Sequence, residues 1–237
     1  MNFMFSWKYF SLKVHYCPLC GVTRPFVRLQ DGEIGVRCLG CRATPITLSL
    51  VSVLKERRQD LGHLSAYELS SRGALVRFLR RHTRNLTCSE FFPDQRPGRH
   101  YHGILCQDVQ CLTFAEKTFD LCTATEVFEH VANDEKGFAE IFRVLKEGGL
   151  FLFTVPLHGP KTITRAIMNT NGKLFYHLPP AYHCDPVRRG APVLVYRDYG
   201  YDIVCILEKV GFSQAEIVMP TFSCPWSNCR PVIAAVK

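Results

Sequence analysis

Residues 112–156 constrain this chain more than any other part of it, because they contain a strand, a loop, a helix and a second strand with their punctuation intact. Residues 119–124 (FDLCTA) are short, apolar and β-capable, the pattern of a strand buried on both faces rather than one alternating between core and water. Phe138, Ile141, Phe142 and Leu145 follow at i, i+3, i+4 and i+7, which sets them on one apolar stripe of a helix. Asn133 or Asp134 suits its N-cap, Asp134 and Glu135 suit the positive end of its dipole, and Lys146 with Gly148 and Gly149 suits its finish. Residues 150–155 give a second apolar run, closed by Pro156. Elements of this size join most simply as a right-handed parallel βαβ unit. Ligands of such sheets bind beyond the carboxyl ends of the strands, here at Thr125, Glu126 and His130 and after Val155.

The N-terminal part carries a second signal. Cys17-Pro-Leu-Cys20 and Cys38-Leu-Gly-Cys41 form two C-x2-C knuckles separated by seventeen residues. Each knuckle points two sulfurs to one side, and two knuckles supply the four thiolates of a tetrahedral zinc site. Residues 26–29 and 34–37 flank the turn signal Gln30-Asp31-Gly32, so a hairpin is expected to bring the knuckles together. Four cysteine ligands leave no position for water or substrate, which makes the expected Zn2+ structural. A ribbon this small needs such a staple.

Residues 46–58 read as a connecting helix with Leu48, Val51 and Leu54 apolar, residues 59–65 as a linker, and residues 66–70 as the first strand of a larger domain. A helix over residues 73–82 follows, with Leu75, Phe78 and Leu79 inward and Arg77, Arg80 and Arg81 outward. Residues 86–92 and 104–106 read as the second and third strands, residues 199–211 as the last helix, and residues 216–219 and 232–236 as closing antiparallel strands. Residues 157–190 show little regular pattern and hold His158, His177 and His183 among several prolines. Their place after the fifth strand suits a substrate lid. Cys224 and Cys229 read as free thiols.

The wording FDLCTATEVFEHV, AEIFRVLKEGG and LFLFTVP resembles the second half of a class I S-adenosylmethionine-dependent methyltransferase domain of type 11. The likeness is continuous over about forty residues and weaker over most of residues 66–237. It implies a Rossmann-like α/β fold, a mostly parallel seven-stranded sheet with helices on both faces, preceded here by the small zinc ribbon. The implied organisation is a ribbon over residues 1–45, a connecting helix and linker over 46–65, and a methyltransferase domain over 66–237 with a lid near 157–190.

S-adenosyl-L-methionine is the cofactor this resemblance implies. Glu68 matches the acid that closes the first strand, and Ser70 and Gly73 stand in the turn that holds the methionine half. Ser70 and Arg72 depart from the glycines usual there. Glu90 matches the acid that accepts from the ribose hydroxyls, Asp108 and Val109 match the adenine site, and Glu126 follows the fourth strand. His130, and His183 with Asp185, are the candidates for a catalytic base; each could equally be a structural residue satisfied by its neighbours.

Charged residues are 21% and hydrophobic ones 47% of the chain, which excludes a disordered protein. No apolar run reaches the roughly 18 residues of a membrane span, and Lys8 and Lys13 interrupt the aromatic N-terminal stretch, so a cytoplasmic location is expected. The leading expectation is methyl transfer to a small-molecule acceptor. The net charge of +8 keeps a second reading open, an RNA methyltransferase whose ribbon and arginines grip phosphates. A third is a non-catalytic binding protein on a degenerate methyltransferase fold, suggested by Ser70 and Arg72.

Overall fold

The computed structural model describes residues 8–169, 171–185 and 190–237. Strands β1 (Ser11–Cys17), β2 (Val22–Arg28) and β3 (Val36–Cys38) form an antiparallel three-stranded sheet in that order. Strands β2 and β3 make the expected hairpin, pairing Phe26 with Cys38. Strand β1 was not expected. Its Leu12, Val14 and Tyr16 alternate with Lys13 and His15 as strand residues do, yet these apolar positions are exposed rather than turned to a core.

Helix α1 (Pro45–Arg57) is capped by Thr44, whose hydroxyl accepts from the Thr47 N–H, with Pro45 at its first turn. It is far more than a connector. Leu50, Val51, Val53 and Leu54 are buried against Ala66, Leu121, Leu150 and Leu152, while Leu48 joins the core of the ribbon. It therefore packs both on the main sheet and on the ribbon.

The remaining elements are β4 (Ser65–Glu68), α2 (Ala74–His82), β5 (Asn85–Glu90), β6 (His100–Tyr101), β7 (Ile104–Cys106), β8 (Phe119–Thr125), α3 (Asp134–Val144) and β9 (Leu145–Thr154). After them come β10 (Ile163–Thr164), β11 (Ala166–Met168), β12 (Leu174–Tyr176), β13 (Tyr182–Asp185), β14 (Ala191–Leu194), β15 (Arg197–Asp198), α4 (Ile203–Val210), β16 (Gln214–Val218) and β17 (Val232–Val236). The main sheet has eight strands in the order β16-β17-β9-β8-β4-β5-β7-β6. The expected count of seven is met by all of these except β6, a two-residue strand added antiparallel at the edge. Strands β7, β5, β4, β8 and β9 run parallel, and β17 and β16 close the other side antiparallel.

Helices cover both faces, and the period of two along each strand decides which face a residue serves. Leu121, Leu150 and Leu152 point towards α1 and α2; Cys122, Phe151 and Phe153 point towards Phe138 and Ile141 of α3 and Ile203 and Leu207 of α4. The βαβ unit β8–α3–β9 is present, with Asn133 capping α3 by accepting from Lys136 N–H. Leu145, expected in the helical stripe, instead opens β9, because the carbonyls of Arg143 and Val144 are taken by the amides of Lys117 and Thr118.

The described residues between 157 and 198 are more regular than the sequence suggested, and hold three small antiparallel pairs, β10–β15, β11–β12 and β13–β14. Strands of two to four residues are too short to show a period. Among the described residues no helix is long and apolar enough to cross a membrane.

Candidate functional site

The first half of the site is the turn after β4. The Leu69 N–H donates to the Thr123 carbonyl, which carries the chain over the sheet edge. Gly73 takes φ 109° and ψ −177°, a conformation essentially reserved for glycine, and caps α2. Nothing lies within 4 Å of where its Cβ would be. The N–H groups of the first turn of α2 have no partner within the helix, a setting suited to an electron-rich ligand group. Arg72 is exposed.

Glu68 is buried, accepts from the Thr123 hydroxyl, and has its carboxyl pushed up to about 8 by burial. Ser71 ties the turn to the next strand, donating its N–H and its hydroxyl to Glu90 Oε1 at 2.7 and 2.9 Å. The Gln107 N–H donates to the Glu90 carbonyl, placing Asp108 beside it. Asp108 Oδ1 accepts from the Gln110 N–H at 2.9 Å, and Gln110 Oε1 accepts from the Asn133 N–H, so this loop is fixed to the start of α3. Val109 is buried in the same core as Phe138. Glu68, Ser70, Gly73, Glu90, Asp108 and Val109 thus line up along the carboxyl edge of β4, β5 and β7.

The second half lies beyond β8 and β9. Glu126 adopts φ 53°, a left-handed conformation uncommon outside glycine, held by its N–H donating to the Thr154 carbonyl. Its carboxylate faces Arg230 Nη2 at 3.4 Å, and the same guanidinium pairs with Glu33. Burial raises the Glu126 carboxyl, with Arg230 opposing. Glu129 is only 1% exposed, and burial, with the nearby Glu126 charge, raises its carboxyl well above the ordinary range.

His130 Nδ1 lies 2.8 Å from the Leu194 carbonyl, and His183 Nδ1 lies 3.1 Å from His130 Nε2. Burial lowers the His183 imidazole. The chain after β14 is anchored here: the Tyr196 N–H donates to the Glu129 carbonyl, and Arg197 donates to the carbonyls of Val131 and Ala132. Asp185 ends β13, and its side chain lies outside the described residues, as do residues 186–189 of the expected lid. Arg230 and Glu33 went unnoticed in the sequence because they approach Glu126 from distant segments and carry no local motif.

In the ribbon, Cys17 Sγ and Cys41 Sγ are 3.7 Å apart, Cys20 Sγ and Cys38 Sγ 4.0 Å, and all four lie within 4.8 Å of one another. Four sulfurs about 2.3 Å from one tetrahedral ion lie about 3.8 Å apart, so the cluster fits zinc. Cys20 N–H donates to Cys17 Sγ, as a knuckle requires. Cys224 and Cys229 stand outside this cluster; Cys229 Sγ donates to the Phe222 carbonyl.

A family model described as a methyltransferase domain matches residues 70–153. Among solved structures, an S-adenosylmethionine-dependent methyltransferase from Mesorhizobium loti aligns with TM-score 0.50 and 16% identity, covering 78% of this chain and 96% of that one. A candidate S-adenosylmethionine-dependent methyltransferase from Listeria monocytogenes aligns with TM-score 0.51 and 12% identity, over 78% and 95%. At these identities the likeness is one of fold. No curated protein sequence matches the chain.

Proposed function

Because this chain carries a methyltransferase domain with the fold of the S-adenosylmethionine-dependent enzymes, we propose that it transfers a methyl group from S-adenosylmethionine to a small-molecule acceptor. One observation carries the reading: the turn after β4 and the buried polar residues beyond β8 meet along one sheet edge, beneath a hairpin that the Glu129 carbonyl anchors. A polar sheet edge with a hairpin anchored over it suits an acceptor that can be enclosed.

The cofactor supplies an electrophilic methyl group, and the residues of the chain do the holding. Glu90 and Asp108 offer carboxylate oxygens to hydroxyl and amine donors, Val109 offers an apolar wall, and Ser70 with Gly73 leaves the approach to α2 open. Glu68 is turned inward and supports the turn from below. Glu126, with its strained backbone and its Arg230 partner, borders the acceptor side. Holding donor and acceptor in line supplies much of the rate in such a transfer, and a base is needed only where the acceptor carries a proton. His130 and His183, when their ring nitrogens are not engaged by a metal ion, are the candidate bases at that edge.

We further propose that Cys17, Cys20, Cys38 and Cys41 hold a structural Zn2+, and that the domain boundary falls near residue 45, because α1 packs in the core of the sheet.

A second reading, RNA as the acceptor, is favoured by a cleft of about 720 Å³ between the ribbon and α2. Arg24, Arg42, Arg77, Arg81 and His82 line it. Incubating the protein with methyl-labelled S-adenosylmethionine and separated metabolite and RNA fractions tests both. Label in the metabolite fraction is expected; label in RNA alone, lost steeply as salt rises, favours the second reading, and label in neither contradicts both.

A further inference from the structure

We infer that Glu129, His130 and His183 form a binding site for a divalent transition-metal ion, separate from the four-cysteine cluster. Glu129 Oε1 lies 3.7 Å from His130 Nε2 and 3.8 Å from His183 Nδ1, and the two nitrogens are 3.1 Å apart. Donors about 2.1 Å from a common ion at a tetrahedral angle lie about 3.4 Å apart, so these spacings bracket a coordination shell. The gaps of 3.7 and 3.8 Å are too long for hydrogen bonds between the carboxylate and either ring.

The donors are aimed by their surroundings. A carbonyl can only accept, so the 2.8 Å contact with Leu194 O puts the proton of a neutral His130 on Nδ1 and turns the lone pair of Nε2 towards Glu129 and His183. Glu129 is buried, and among the described residues no side chain or neighbouring amide hydrogen-bonds either of its carboxylate oxygens. A buried carboxylate without partners is costly. Protonating it does not remove the difficulty, since its O–H would then lack an acceptor. A cation shared with two imidazoles resolves it.

Two imidazoles and one carboxylate suit ions such as Zn2+, Mn2+, Fe2+ or Co2+, whereas Mg2+ and Ca2+ favour oxygen-only shells. Three protein ligands also leave coordination positions open for water or an oxygen of a bound molecule. Glu129 and His130 come from the loop after β8 and His183 from β13, so the ion also fastens the lid hairpin to the sheet edge. The binding claim stands whether or not the chain transfers methyl groups.

The test is a titration of Co2+ into full-length protein already carrying one equivalent of Zn2+, followed by calorimetry and visible absorption. One further equivalent is expected, with weak ligand-field bands and no thiolate charge-transfer bands. Glu129→Gln and His183→Ala should each weaken it by about ten-fold or more without loss of the first ion. His183 sits on an exposed strand, so that variant keeps the fold. Absence of a second equivalent, thiolate bands accompanying it, or unchanged affinity in both variants would overturn the assignment.

Discussion

Ser71 donates both its backbone N–H and its hydroxyl to one oxygen of Glu90, so the turn after β4 and the end of β5 are held as one unit. The acid expected to meet a ribose thereby also shapes the loop expected to meet the methionine half. Ser71→Ala keeps the amide bond and removes the hydroxyl one. A loss of about 0.5–1.5 kcal/mol in urea unfolding is expected. Binding of S-adenosylhomocysteine should weaken by several-fold; unchanged binding would separate turn geometry from ligand contact.

Glu68 predicts a pH effect of definite sign. Burial raises its carboxyl from 4.5 to about 8 in the folded protein. The group is neutral in both states below about pH 4, so it favours folding most there. As pH rises through 4.5 the unfolded chain ionises and the folded one does not, and stability is lost progressively up to about pH 8. Glu68→Gln removes this dependence. Its unfolding free energy relative to the parent should therefore climb between pH 5 and pH 8, by on the order of a few kcal/mol. A constant difference across that range would show that the carboxyl is already ionised.

Metal removal should be felt beyond the ribbon. Phe26, Val36 and Cys38 share a buried cluster with Leu48 of α1, Ala74 of α2 and Cys224. Chelation, or Cys38→Ser, is expected to lower the melting temperature of the whole protein by about 5–10 °C in a single transition. Separate melting of a small unit, with the main transition unmoved, would show that the shared cluster does not couple them.

Gly200 stands at the base of the lid, where its N–H donates to the Thr162 hydroxyl. An added Cβ would fall on the backbone N, Cα and C of Lys161. Gly200→Ala should cost about 1–3 kcal/mol and raise proteolytic susceptibility within residues 157–202. Wild-type stability would mean that this close approach relaxes freely.

The parallel core was legible because its signals are local. Asn133, the Phe138 and Ile141 stripe and the apolar run ending at Val155 each announce an element through neighbours a few residues away. The knuckles were legible for the same reason, their chemistry being written in spacing. The short pairs between residues 163 and 198 were not, since strands such as β13 with four residues offer no period; β1 was overlooked although Leu12, Val14 and Tyr16 alternate with Lys13 and His15. Beyond β8, Glu126 and His130 could be picked out at a strand end. Arg230 could not, because its contacts with Glu33 and Glu126 join segments 197 and 104 residues away. The inward turn of Glu68 towards Thr123 is likewise a product of sheet packing, which sequence position alone does not express.

Calorimetric titration of S-adenosylmethionine and S-adenosylhomocysteine into the zinc-loaded protein tests the central claim most directly, with Glu90→Ala and Asp108→Ala as companions. Micromolar binding is expected, weakened about ten-fold or more by each substitution, as loss of a charged hydrogen-bond acceptor predicts. No heat and no thermal stabilisation by either ligand would contradict the account, leaving a methyltransferase fold that does not hold its cofactor.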